Sequence, residues 1–193
     1  MEWRYARTTA MAGGNMSENT LSASILLLCY RDAPYIRAAL QSALAQTVPC
    51  EIIVSNDGSD DGTFELAQEI VANYRGPHRV SVRRNACNLG VAGHVNAALP
   101  LTHGDIVVMM AGDDVSYPHR VASILEAFRQ RPQAMVLGSD FDGIDEAGHP
   151  REVPVVDEAA ADERRRGVQR VAVEVGVEQG AGVSHHSSRG GVR

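Results

Sequence analysis

Two adjacent carboxylates, Asp113 and Asp114, close the apolar run Ile106-Val107-Val108-Met109-Met110 and stand just ahead of Val115-Ser116-Tyr117-Pro118. Like charges side by side call for a counter-charge. A divalent cation supplies one: Mg²⁺ or Mn²⁺ takes hard oxygen ligands, typically one or two protein carboxylates, and completes its shell with phosphate oxygens and water. The blander reading has one carboxylate capping the next helix and the other solvated. No G-x-x-x-x-G-K-[ST] loop occurs, so a phosphate group here has to be held chiefly by the metal.

A second cluster is the turn Asn56-Asp57-Gly58-Ser59-Asp60-Asp61-Gly62-Thr63. Gly58 and Gly62 supply permissive dihedrals, and Asp60 or Asp61 suits the start of a helix. That leaves Asp57, directly after Ile52-Ile53-Val54-Ser55, as a carboxylate able to accept hydrogen bonds from a ligand. A third run, Tyr30-Arg31-Asp32, follows Ser24-Ile25-Leu26-Leu27-Leu28-Cys29, and Arg84-Asn85 follows Val80-Ser81-Val82-Arg83. In an open parallel sheet, ligands bind beyond the carboxyl ends of the strands, and three of these four ends carry Asp.

The elements that must position these groups alternate regularly from Ala23 onward. Short apolar runs predict strands at 24–29, 52–54, 80–83, 106–110 and 135–137. Apolar residues at three- and four-residue steps predict helices: Ile36, Ala39, Leu40, Ala43 and Leu44 before Pro49, then Phe64, Leu66, Ala67, Ile70 and Val71, then 90–99, then 118–128. Repeated βα units imply an α/β domain, Rossmann-like, around a mainly parallel sheet. Its expected extent is 23–150.

Residues 1–22 lack a sustained period and read as a disordered leader. After Ile144 there is no Leu, Ile, Met, Phe, Trp or Tyr, and 151–193 read as a low-complexity segment. Three readings stand for it: a disordered tail, which the composition favours, a stray edge strand at Val171, Val173, Val175 and Val177, or a frameshifted translation.

Composition excludes several classes. All eighteen basic residues of the 193 are Arg, against twenty-four acidic ones, for a formal charge of -6; this balance argues against nucleic-acid binding. The longest apolar runs are six residues, where a membrane-spanning helix needs about 20. Cys29, Cys50 and Cys87 are odd in number, form no C-x-x-C pair and follow no signal peptide. The expected compartment is the cytoplasm, free or peripheral to the inner face of the membrane.

The motifs S-I-L-L-L-C-Y, L-A-Q-T, E-I-I-V-S-N-D-G-S-D-D-G-T, N-L-G-V-A-G-H-V-N-A-A-L and G-D-I-V-V-M-M-A-G-D-D, in this order, resemble the nucleotide-sugar-binding part of a family 2, GT-A-fold glycosyltransferase, from about Ser24 to Gly148. The resemblance implies an enzyme of polysaccharide biosynthesis that moves a sugar from a nucleoside diphosphate sugar, expected to be UDP-linked, to a hydroxyl of a glycan, lipid or other acceptor with inversion. It implies that Tyr30 lies near the nucleobase, that Asp57 hydrogen-bonds it, that Asp113 lies near the ribose or sugar, and that Asp114 is the ligand of a divalent cation, Mg or Mn. The departures are Leu28-Cys29 for the usual Pro-Thr, Arg31 and Asn56 for the usual Asn and Asp, and Val95 for the usual Arg; His94 beside it reads as a surface histidine. The acceptor-binding half with its catalytic base is truncated or divergent, and Asp140, Asp142 and Asp145 do not match that base. Two other readings follow: a non-catalytic nucleotide-binding or interaction module on the same fold, and a nucleotidyltransferase, which a chain without Lys fits worst.

Overall fold

The computed structural model describes residues 21–145, 148–151 and 169–176. Strands β1 (Ala23–Cys29), β2 (Glu51–Asn56), β3 (Arg79–Arg84) and β4 (Ile106–Ala111) form one parallel sheet in the order β3-β2-β1-β4. The two central strands carry the continuous apolar runs because both their faces are covered. Ile25, Leu26, Leu27, Ile52 and Val54 are each exposed by 1% or less. Each such side chain contributes about 1.5–3 kcal/mol by leaving water.

The layers follow from which residues point where. Helices α1 (Ile36–Leu44), α2 (Thr63–Ala72) and α4 (Arg120–Gln130) cover one face, burying Ile36, Leu40, Ala67, Val121 and Leu125 against Ile25, Leu27, Ile52, Val54 and Met110. Helix α3 (Gly90–Ala98) covers the other through Ala98 on Leu26 and Ile53. α4 starts two residues after the expected Pro118, at Arg120. The leader ends earlier than its composition implies: Ser22 donates from N and Oγ to Asp105 Oδ2 (2.9 and 2.7 Å), and Ile106 N donates to Ser22 O. The rest of the leader, residues 1–20, lies outside the described residues.

A second sheet joins β5 (Val115–Ser116), β6 (Gly138–Ile144), β7 (Pro150–Arg151) and β8 (Gln169–Gly176) in the order β5-β8-β6-β7. It corrects two expectations. Residues 135–137 are not a strand: Met135 and Val136 are 78% and 80% exposed and line a groove along the outer edge of β4. The strand is Gly-Ser-Asp-Phe-Asp-Gly-Ile behind them, held by antiparallel pairing with β7 and β8 and not by its own apolarity. The valine alternation is neither disordered tail, the reading its composition favours, nor a stray edge strand: β8 pairs with β5 on one side and β6 on the other. The remaining tail, residues 152–168 and 177–193, lies outside the described residues.

Candidate functional site

The strand order reverses between β1 and β4, since β1 leads to β2 on one side while β4 lies on the other. Such a switch point opens a crevice at the carboxyl ends of the strands. There β1 delivers Tyr30, Arg31 and Asp32, β2 delivers Asp57, and β4 delivers Asp113 and Asp114. The four residues singled out from sequence, Tyr30, Asp57, Asp113 and Asp114, therefore all lie at one end of one sheet.

Tyr30 is 40% exposed, and the turn behind it is held open by a left-handed residue. Arg31 has φ 57°, a conformation that costs a non-glycine residue about 1–2 kcal/mol. Three contacts offset this. Its N–H donates to Ser59 Oγ (2.9 Å), and its guanidinium pairs twice with Asp60 (Nε–Oδ1 2.9 Å, Nη2–Oδ2 2.8 Å). The guanidinium also lies 5.5 Å from the Tyr30 ring centroid. Asp61 instead holds α2, accepting Thr63 N (3.1 Å) and Thr63 Oγ1 (2.6 Å).

Asp57 stands at the end of β2 but is only 2% exposed. Asn85 Nδ2 donates to its Oδ1 (2.6 Å), and Leu89 N donates to Oδ1 and Oδ2 (3.0 and 3.1 Å). Against the burial that would raise it, these donors and the nearby His94 hold the carboxyl below its ordinary value. It is an ionised acceptor that also ties the start of α3 to β2. Asn56, in the place of the usual Asp, faces inward: Oδ1 accepts Ser59 N (2.9 Å) and Nδ2 donates to Ser59 Oγ (2.7 Å). Gly58 has φ 73°, and a Cβ there would meet the Cys87 backbone at 2.7 Å.

His94 is 5% exposed, not a surface histidine. Its Nε2 lies 2.8 Å from Ser55 Oγ, which also accepts from Arg83 Nη1 (2.8 Å), while Arg83 Nη2 donates to Asn85 Oδ1. A chain of polar groups, buried except for the half-buried Arg83, thus runs from α3 to Asp57. Burial, reinforced by Arg83, lowers the histidine's pKa.

Asp113 is exposed and Asp114 half-buried. Asp32, which the sequence places at a strand end but which carries no expected role, is the third carboxylate here. Its Oδ2 accepts Tyr30 N (2.9 Å) and lies against Gly112, where any Cβ would overlap it and Cys29 Cβ. Burial first, then the charges of Asp113, Asp61 and Asp114, push Asp32 up to about 6. The signal was its place at a strand end. Arg120 on α4 donates to Met109 O (3.2 Å) and Ser116 Oγ (3.3 Å); burial lowers its pKa and the charge of Asp114 opposes that.

The donor set at Asp113 and Asp114 is hard oxygen in a negative local field, which fits Mg²⁺ or Mn²⁺. Among the described residues no three His, Cys, Asp or Glu side chains group to hold a metal, so such a cation completes its shell with ligand oxygens. Asp142 accepts from Tyr117 Oη (3.2 Å) and Asp145 from His149 N (2.9 Å).

The family model described as Glycosyl transferase family 2 matches residues 24–177, past the motifs and through β8. The chain belongs to glycosyl transferase family 2, a family of enzymes. The putative glycosyltransferase EpsE of Bacillus subtilis is 27% identical over 126 residues, 65% of this chain and 45% of that protein. The succinoglycan biosynthesis protein ExoU of Rhizobium meliloti is 29% identical over 157 residues, 76% of this chain and 44% of that protein. The chain thus spans less than half the length of these relatives. Two solved structures share the fold. S. aureus TarS 1-349 in complex with UDP-GlcNAc matches with TM-score 0.51 and 23% identity over 64% of this chain and 33% of that one. The mannosyltransferase PcManGT of Pyrobaculum calidifontis in complex with GDP-Man and Mn²⁺ matches with TM-score 0.53 and 21% identity over 66% and 36%. Among the described residues no helix is long and apolar enough to cross a membrane.

Proposed function

We propose that this domain binds a nucleoside diphosphate sugar, UDP-linked, together with Mg²⁺ or Mn²⁺. In the whole enzyme the sugar passes with inversion to an acceptor hydroxyl in polysaccharide biosynthesis. The observation that carries this is the gathering of Tyr30, Asp57, Asp113 and Asp114 at one switch-point crevice, beside Asp32, which burial and the charges of Asp113, Asp61 and Asp114 raise. The names of ExoU and of the TarS and PcManGT complexes support polysaccharide, nucleotide sugar and metal respectively.

The roles proposed here are those the family resemblance implies. Tyr30 offers an exposed ring for the nucleobase to lie on, and Arg31, pinned by Asp60, keeps that ring in place. Asp57, an acceptor with no proton to give, favours a base edge that carries N–H. Asp113 stands towards the ribose and sugar, and Asp114 holds the cation. A divalent ion there neutralises charge on the diphosphate leaving group. Arg120, within the electrostatic reach of Asp114, keeps the pair's own repulsion in check when no cation is present.

Calorimetric titration of UDP with and without Mn²⁺ tests this. Binding should be metal-dependent, and Asp114→Ala should weaken it by at least about tenfold in the presence of metal. Absence of binding by UDP, GDP and dTDP alike would overturn the reading.

A further inference from the structure

The acid pair does not hang from β4 alone. Behind it, residues 116–121 are fastened to the end of α1 and the turn that follows it by four hydrogen bonds. Ser116 N donates to Ser42 Oγ (2.9 Å), Gln46 Nε2 to Tyr117 O (2.9 Å), Thr47 N to Pro118 O (2.9 Å), and Val121 N to Gln46 Oε1 (3.0 Å). Gln46 is the centre of this clamp. It is 5% exposed, and its Nε2 also donates to Ser42 O (3.1 Å). Both ends of its amide are engaged, so its orientation is dictated by its partners and a substitution leaves buried backbone groups unmet.

Between the end of β4 at Ala111 and the first clamped residue, Ser116, lie only Gly112, Asp113, Asp114 and Val115. Asp114 N is already bonded to Ala111 O (3.2 Å). A span this short, fixed at both ends, has little freedom of its own, so where the carboxylates stand is set by where the segment behind them is anchored. We infer that Gln46 is a positioning residue for Asp113 and Asp114, holding them for the cation and diphosphate through the 116–121 segment without touching either ligand. This rests on the metal role proposed for the pair. The competing role is packing alone, with the clamp joining α4 to α1 and no consequence for the crevice.

The test separates the two. Gln46→Met keeps length and volume and removes all three amide hydrogen bonds. UDP affinity is measured by calorimetry with and without Mn²⁺, Mn²⁺ occupancy in the presence of UDP by electron paramagnetic resonance, and folding by circular dichroism. Misplacement by about 1 Å is enough to cost a site up to about 10²-fold. The ratio of UDP affinities with and without metal should therefore fall at least about tenfold, with metal-free affinity within about twofold of the original. A lower melting temperature with an unchanged ratio and unchanged Mn²⁺ occupancy would overturn the inference. If the unsubstituted protein binds UDP with no metal dependence, the metal reading itself fails and this inference with it. Should Gln46→Met not fold, Ser42→Ala decides; it deletes the bond to Ser116 N together with the hydroxyl's own bond to Ala39 O within α1 (2.7 Å): the ratio should fall about threefold on the same reasoning, and an unchanged ratio would overturn the inference.

Discussion

At the N-terminal ends of the parallel strands, Glu51 receives Ser24 Oγ (2.5 Å), His103 N (2.8 Å) and Arg79 Nη2 (2.6 Å). Against the burial that would raise it, these hold its carboxyl at about 2. At the C-terminal ends, burial and the charges of Asp113, Asp61 and Asp114 push Asp32 the other way, to about 6. Both carboxylates come from the same sheet, about 20 Å apart by strand length. The lower end is closed by the chain's own donors, stitching β1, β2, β3 and the loop before β4 together. At the upper end the carboxylates instead raise one another: Asp32 stands in the field of Asp113, Asp61 and Asp114.

The largest expected effect comes from breaking the closed end. Glu51→Ala should cost about 3 kcal/mol in urea unfolding at neutral pH, because Ser24 and the His103 amide lose a charged acceptor. The sign with pH follows: a carboxyl lowered from 4.5 to about 2 stabilises above 4.5, and that part is lost as pH falls towards 2. Unfolding curves of the two proteins should converge in that window.

Next, Gly112→Ala should cost about 2 kcal/mol, because the new Cβ overlaps Asp32 Oδ2 and Cys29 Cβ. It should also weaken metal-dependent UDP binding by displacing Asp113. A folded variant with normal binding would show that the close approach of β1 and β4 is not needed.

The smallest effect sharpens the contrast. Asp32 is raised from 3.8 to about 6, so ionising it costs folding free energy; the favourable protonated form is complete below 3.8 and lost as pH rises through about 6. Asp32→Asn keeps the acceptor for Tyr30 N and should add about 1–2 kcal/mol above pH 6, discounted for partial exposure, and nothing below pH 4. Equal stabilities at pH 7 would mean that the upper end carries no such cost.

How much of this the sequence disclosed depends on the range of the interaction. β1, β2 and β4 were legible because burial on both faces leaves a continuous apolar run, and the acid pair because two carboxylates at a strand end stand out locally. β6 was not, since Gly-Ser-Asp-Phe-Asp-Gly-Ile carries little strand propensity and is defined by its partners β7 and β8. His94 looked like surface because its partner Ser55 lies thirty-nine positions away. Gln46 sat in plain view within L-A-Q-T, but its partners Tyr117 and Val121 are 71 and 75 positions off. No local pattern encodes such a pairing.

The packing of Cys87 against Gly58 has a practical consequence in labelling chemistry. Burial pushes the Cys29 thiol up to about 12 and the Cys50 thiol up to about 11, so neither offers a thiolate near neutral pH. Cys87 is exposed. A maleimide fluorophore would therefore go to one place without mutagenesis, on the loop that ties Asp57 to α3, where its emission would test whether a nucleotide enters beside Asp57.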